Sequence, residues 1–294
     1  MKVFDCFPFF NELELLELRL ETFYDIVDYF VIVEADKTHA NKPKPFNFLE
    51  HKDAFKKFFP KIHYIMDTSV VEYKGAGDWS LENNQRNSIA KGLTEAEPDD
   101  LIMISDLDEF PNPATLKTLI ESFSDATKFV DFIAFYDTTP YTKNQLVPFH
   151  GGMRINNFLD LSPVVCQQIF HSYYFDWVNR DLKWDGTVIG KFKHMKEPQA
   201  FRNARKVLPR IVEGGWHFSS MGGIEKFLEK VRSAPDFQKF SQADKDFLEE
   251  AMRSGKYLVG GAKFEPCDVN EIKLPALKDF LKKYPHFLHE KHRR

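Results

Sequence analysis

The sequence predicts an α/β fold with a largely parallel central sheet flanked by helices. Strand-like and helix-like segments alternate through residues 1–136, the order that builds βαβ units. The apolar runs at residues 27–34 (VDYFVIVE) and 101–105 (LIMIS) read as buried strands. The chain has 294 residues, 43% of them hydrophobic, enough for one large core or a core with a small appendage.

The elements follow in order. Residues 2–6 form a short first strand. Asn11 can cap the next helix, with Glu14 three residues later completing a capping-box pattern. Leu13, Leu16, Leu20 and Phe23 then recur at helical spacing. Strand 27–34 ends in the polar run Glu34-Ala35-Asp36-Lys37-Thr38-His39. The loop Lys42-Pro43-Lys44-Pro45 leads to a helix over 50–58 and a strand over 62–66. Gly75-Ala76-Gly77-Asp78 is a further loop, before a helix from Ser80 to Leu93. Strand 101–105 runs into Asp106-Leu107-Asp108-Glu109, followed by a helix from Pro113 to Phe123 and a strand over 129–136. Residues 137–220 are rich in aromatics, glycine and polar turns with shorter strand-like runs, and residues 223–232 and 243–253 are helical. No repeat or low-complexity linker divides the chain, so one domain over 1–294 is expected, with an α/β half at 1–136 and an elaborated half at 137–294.

Composition narrows the partners. A net charge of −4 argues against a dominant basic surface for nucleic acid. Three widely spaced cysteines, Cys6, Cys166 and Cys267, give neither a disulfide framework nor a zinc spacing, which fits a reducing, cytoplasmic compartment. No apolar stretch reaches the roughly 18 residues of a transmembrane helix, and no signal-peptide pattern opens the sequence. The aromatics, 15% of the chain, serve packing, and some are suited to stacking on sugar rings or bases.

Four constellations could carry chemistry. Asp106-Leu107-Asp108 sets two carboxylates at the end of an apolar strand, the edge at which open α/β sheets bind ligands. Two such carboxylates can converge on Mg²⁺ or Mn²⁺; the same dipeptide spacing also occurs in solvated turns and helix caps. In Gly214-Gly215-Trp216-His217, the glycines permit close backbone approach and His217 fits a metal or phosphate contact, or a buried hydrogen-bonded imidazole beside a packing Trp216. Glu82, Gln85 and Arg86 share a helix face, where Arg86 suits a phosphate, an acidic site residue or an ion pair with Glu82. Trp184-Asp185-Gly186 offers an aromatic platform and a carboxylate able to act as a base, or a plain turn. Walker, dinucleotide-binding, zinc-protease and nucleophile-elbow patterns are absent.

Taken together, Asp5-Cys6-Phe7-Pro8-Phe9-Phe10-Asn11-Glu12, Val31-Ile32-Val33-Glu34-Ala35-Asp36 with Thr38-His39, Ser105-Asp106-Leu107-Asp108-Glu109-Phe110-Pro111, Gly186-Thr187 and Gly215-Trp216-His217-Phe218-Ser219 resemble glycosyltransferase family 17 over about residues 3–255. The resemblance implies a GT-A type, Rossmann-like fold and an inverting transfer from a nucleotide-sugar donor, UDP-GlcNAc above others, to a glycan or glycoconjugate hydroxyl, with Mn²⁺ or Mg²⁺. It implies a nucleotide-sugar-binding first half and an acceptor-side second half. Glu34, Asp36, Arg86 and Asp106 fall on the donor side; Asp106, Asp108 and His217 at the metal; Trp184 and Trp216 near the acceptor. Asp185, with Asp137 behind it, is the expected base. The sequence lacks the anchor, lumenal stem and paired cysteines of eukaryotic members, which fits a bacterial or viral enzyme that decorates another glycan. Two other classes share these residues: a metal-dependent nucleotidyl or phosphoryl transferase, and a non-catalytic glycan-binding module.

Overall fold

The computed structural model describes residues 1–125, 127–128, 132–136, 146–148 and 159–290. Its strands are β1 (Val3–Phe9), β2 (Tyr29–Ala35), β3 (Ile62–Asp67), β4 (Leu101–Ile104), β5 (Glu109–Pro111), β6 (Phe132–Tyr136), β7 (Leu146–Pro148), β8 (Val164–Ser172), β9 (Trp177–Lys191), β10 (Arg210–Ser219) and β11 (Glu265–Pro266). The helices are α1 (Leu13–Phe23), α2 (Asn47–His51), α3 (Ser80–Asn87), α4 (Pro113–Glu121), α5 (Pro198–Asn203), α6 (Ile224–Ser233), α7 (Lys245–Ser254) and α8 (Leu277–Lys283).

Among the described residues one sheet runs in the order β3-β2-β1-β4-β9-β8-β10-β6-β7, with β11 on β9 and β5 on β10. The first four strands are mutually parallel, as the alternating first half requires. From β4 onward the pairing is antiparallel except for β8 with β10, so the α/β class holds with a parallel first half and a mixed second half.

Burial on both faces explains the unbroken apolar runs. Along β1, Val3, Phe7 and Phe9 join a core under α1, α4 and α8, while Phe4 and Cys6 join a second core on the opposite face with Val31, Ile102 and Phe201. A third cluster, built on Tyr173, Phe227, Phe237 and Leu248, lies beneath α6 and α7. No helix among the described residues is long and apolar enough to cross a membrane.

Several boundaries differ from the sequence reading. Helix α1 starts at Leu13, not at Asn11, and its N-cap Glu12 makes no capping bond. The capping box does not form, because the Glu12 carboxylate instead accepts the Asn11 backbone N–H at 3.0 Å. The helix expected over 50–58 is the short α2 followed by 3₁₀ turns through Lys52–Lys61, a stretch that contains Pro60 and so cannot hold a regular α-helical ladder. Helix α3 stops at Asn87 and tightens to 3₁₀ over Ser88–Gly92. Residues 129–131 of the expected strand and Asp137 lie outside the described residues.

Candidate active site

Strand β1 lies between β2 and β4. The chain passes from β1 to β2 and β3 on one side, then crosses to β4 on the other. The crevice beyond the carboxyl ends of β1 and β4 is therefore the topological switch point, where open α/β sheets bind ligands. A cavity of about 240 Å³ opens there, walled by Phe10 after β1, His39 after β2, Arg86 of α3, and Asp106 and Asp108 after β4.

The Asp-Leu-Asp turn is held from below by Arg19 of α1. Its guanidinium is fully buried and grips both Asp5 carboxylate oxygens of β1, at 2.8 and 2.6 Å. Its remaining N–H groups donate to the carbonyls of Leu107 (3.1 Å) and Glu109 (2.6 Å), more weakly to that of Asp106 (3.4 Å), and to the Ser105 hydroxyl (3.0 Å). One planar donor fork thus fixes Ser105, Asp106, Leu107 and Glu109, four of the five positions from the strand end through the turn, a task suited to arginine's rigid geometry.

Both oxygens of Asp106 are engaged by arginines: Oδ1 with Arg86 at 2.6 Å, Oδ2 with Arg202 of α5 at 3.1 Å. Burial alone would raise the Asp106 carboxyl, but Arg86, Arg202 and Arg205 hold it well below the usual carboxylate range. Arg86 is also bound by Glu82 at 2.8 Å and Gln199 at 2.5 Å. The buried Glu109 carboxylate accepts Arg202, the Trp184 indole N–H (2.5 Å) and the Asp106 backbone N–H (3.0 Å). Arg205 lies 5.1 Å over the Trp184 ring and faces the cavity. Burial, then the like charge of Arg202, lowers its affinity for its proton, and a buried guanidinium nitrogen has no hydrogen-bond partner.

Asp108 faces the cavity between two basic groups, His217 Nε2 at 3.5 Å from Oδ1 and Lys230 Nζ of α6 at 3.4 Å from Oδ2. Burial opposes ionisation, but Lys230 and His217 outweigh it and keep the Asp108 carboxyl below its ordinary value. His217 arrives by the pairing of β5 with β10, in which it stands opposite Glu109. Gly215 permits that pairing: its φ is +134°, and a Cβ there would sit 2.0 Å from the Phe110 carbonyl oxygen.

No group of three or more His, Cys, Asp or Glu side chains among the described residues is arranged to hold a metal. Asp108 Oδ1 and His217 Nε2 nevertheless face each other across 3.5 Å at the cavity wall. This pair fits a divalent cation of the kind that is held by one or two side chains and completes its shell with substrate phosphates and water. Asp106 does not fit as a direct ligand, since its oxygens already serve two guanidiniums.

The other expected site residues divide by strand face. Trp184 lines the cavity, with its ring 4.5 Å from that of His217. Asp185, its neighbour on β9, points to the other face and forms a bidentate pair with Arg210 (2.8 and 2.5 Å), so it is not brought into the cavity. Trp216 alternates with His217 in the same way and is buried in the main core. Glu34 is fully buried, accepting Lys44, Tyr64 and the backbone N–H groups of Asn47 and Phe48 at the start of α2. Asp36 lines a smaller neighbouring cleft with Asp67 and Asn84. Trp79, just before α3, lines the main cavity with 43% of its surface exposed. Arg19, Arg202, Arg205 and Lys230 escaped the sequence reading; the Arg202-x-x-Arg205 spacing was the one available hint.

The chain is thus an α/β protein whose switch-point cavity sets a carboxylate turn against a cationic wall. Residues 1–130 match the sequence model of glycosyltransferase family 17. The beta-1,4-mannosyl-glycoprotein 4-beta-N-acetylglucosaminyltransferases of Rattus norvegicus and Homo sapiens are each 23% identical to it over 301 residues, covering 94% of this chain and 52% of the relative. The chain spans about half the length of the curated relatives it matches. Among solved structures, a mannosyltransferase from Pyrobaculum calidifontis in complex with GDP-Man and Mn2+ aligns at 12% identity and a TM-score of 0.36, over 85% of this chain and 69% of that one. The family model and the curated relatives return the resemblance that the sequence motifs carry.

Proposed function

We propose that this chain is a glycosyltransferase that moves a sugar, GlcNAc from UDP-GlcNAc foremost, from a nucleotide donor to a glycan hydroxyl with inversion at the anomeric carbon. The observation that carries the reading is the placement of the Asp108–His217 pair and the cations Arg205 and Lys230 around one switch-point cavity. The names of the two relatives, both N-acetylglucosaminyltransferases, support GlcNAc as the transferred group.

The chain's own residues divide the work. Arg205 and Lys230 stand where a donor diphosphate would take their charge, and preorganised cations stabilise the negative charge that gathers on a departing diphosphate. Asp106 holds Arg86 and Arg202 in place rather than binding the donor through its own oxygens. A divalent cation on Asp108 and His217 would supply further charge neutralisation at the diphosphate. Trp79 offers an exposed ring face at the cavity wall for a sugar or a base.

A panel of nucleotide sugars with candidate glycan acceptors, with and without Mn²⁺, tests the reading by release of nucleoside diphosphate and formation of a glycoside. Release of inorganic diphosphate would point instead to nucleotidyl transfer. Sugar binding that needs neither metal nor nucleotide, with no turnover, would point to a glycan-binding module.

A further inference from the structure

The glycosyl-transfer reading leaves the general base unassigned, because Asp185 faces away from the cavity and Asp137 lies outside the described residues. Four of the cavity's carboxylates are already committed. Glu82 is held by Arg86 at 2.8 Å and faces His39 at 3.5 Å. Asp106 is held by Arg86 and Arg202, and Asp108 by His217 and Lys230. Glu12 accepts the Asn11 backbone N–H at the amino end of α1, where a negative charge also complements the helix dipole.

Asp236 differs. It lines the same cavity from the 3₁₀ turn Pro235–Phe240, and among the described residues it makes no ion pair and no hydrogen bond to another residue's side chain. The turn is fixed by its neighbour Phe237, which is fully buried in the third core against Phe227. Asp236 thus stands on an anchored turn, its carboxylate with open acceptor capacity, on the wall that also carries Lys230. Although it is exposed at the cavity surface, burial by the surrounding protein pushes its carboxyl up, with Lys230 opposing, which makes it a stronger proton acceptor than an ordinary carboxylate.

We infer that Asp236 is the catalytic base of the proposed transfer. Its carboxylate takes the proton of the acceptor hydroxyl as that oxygen bonds to the anomeric carbon. The bond from that carbon to the diphosphate oxygen breaks, its electron pair leaves with the nucleoside diphosphate, and the captured proton passes to solvent.

The inference rests on the glycosyl-transfer reading, and the test separates the two. Wild-type and Asp236→Asn chains are compared for transfer from the donor turned over in the panel and, independently, for calorimetric binding of UDP with Mn²⁺. The expected result is a kcat lower by ~10²–10⁴-fold, the usual contribution of a positioned base, with UDP affinity within about threefold of wild type and an unchanged melting temperature. Asp236→Glu, which restores a carboxylate, should recover part of the rate. If Asp236→Asn melts early, Asp236→Ser serves in its place. Transfer by the substituted chain within about threefold of wild type, or loss of UDP binding in step with activity, would overturn the assignment. A wild-type chain that neither binds UDP nor turns over any donor removes the underlying reading, and the base with it.

Discussion

Replacing Arg19 with methionine tests whether the carboxylate turn is held by a single buried guanidinium. The substitution leaves the Asp5 carboxylate with no cation at a site of zero exposure and takes the donor from three carbonyls and a hydroxyl. Breaking a buried ion pair by removing one partner costs ~3–5 kcal/mol, because the remaining charge stays buried and unpaired. At ~2–4 °C per kcal/mol for chains approaching this size, the melting temperature should fall by roughly 6–20 °C. A second variant, Arg19→Met with Asp5→Leu, removes both charges and should recover most of that loss. It does not restore the donors to the turn, so nucleotide affinity should stay at least about tenfold weaker than wild type, a deficit of ~1.4 kcal/mol. Thermal denaturation gives the first quantity and calorimetric titration with UDP and Mn²⁺ the second. A single variant within ~1 kcal/mol of wild type, or a double variant with full UDP affinity, would refute the idea that Arg19 positions the site.

Other outcomes follow from the same geometry. Asp108→Asn should lower transfer by ~10²–10³-fold or more, the scale of losing a main electrostatic contact, while a circular-dichroism spectrum and melting curve stay close to wild type; wild-type rates with Mn²⁺ present would sink the assignment. Trp79→Ala should raise the KM of one substrate roughly threefold to tenfold with little change in kcat, from the ~0.5–1.5 kcal/mol of a ring contact, and unchanged KM values for donor and acceptor would remove Trp79 from the site. His171 is buried and its Nδ1–H donates to the Phe175 carbonyl at 2.9 Å, and burial lowers its pKa from 6.5 to about 4. Because the neutral form is the folded one, its contribution is whole above pH 6.5 and is lost as pH falls toward 4, by ~3 kcal/mol in all; denaturant titrations across that window should show a slope that His171→Gln flattens.

The parts of the site that the sequence displayed are those encoded locally. Strands β2 and β4 are buried on both faces, so the apolar runs 30–33 and 101–104 are unbroken, and the polar residues that end β4 mark the sheet edge by contrast. The arginine framework is another matter. Arg19 sits among helix-forming residues, and its role arises only when α1 packs on the β1–β4 side of the sheet. Arg202 and Lys230 reach the turn from distant segments by tertiary folding alone. Trp216 and Asp185 fall outside the cavity's lining for a simpler reason. Each was grouped with its chain neighbour, as in a loop, whereas both lie on strands where adjacent side chains face opposite ways. Reading residues 177–191 and 210–219 as long strands would have separated Trp184 from Asp185 and His217 from Trp216.

The insertion of β9 between β4 and β8 has a consequence for how this architecture can be divided. A fragment ending near residue 130 would carry Asp106 and Asp108, yet it would leave the whole of β4 as a naked edge, its N–H and C=O groups deprived of Val188–Lys191. Such edges invite pairing between chains. The same fragment would lose Arg202, His217 and Lys230, leaving Asp106 with Arg86 alone and Asp108 without either of its basic neighbours. The carboxylate turn is therefore no portable cassette: the second half seals the sheet with a strand and supplies most of the turn's counter-charges, so the two halves can be recombined with foreign ones only as a matched set.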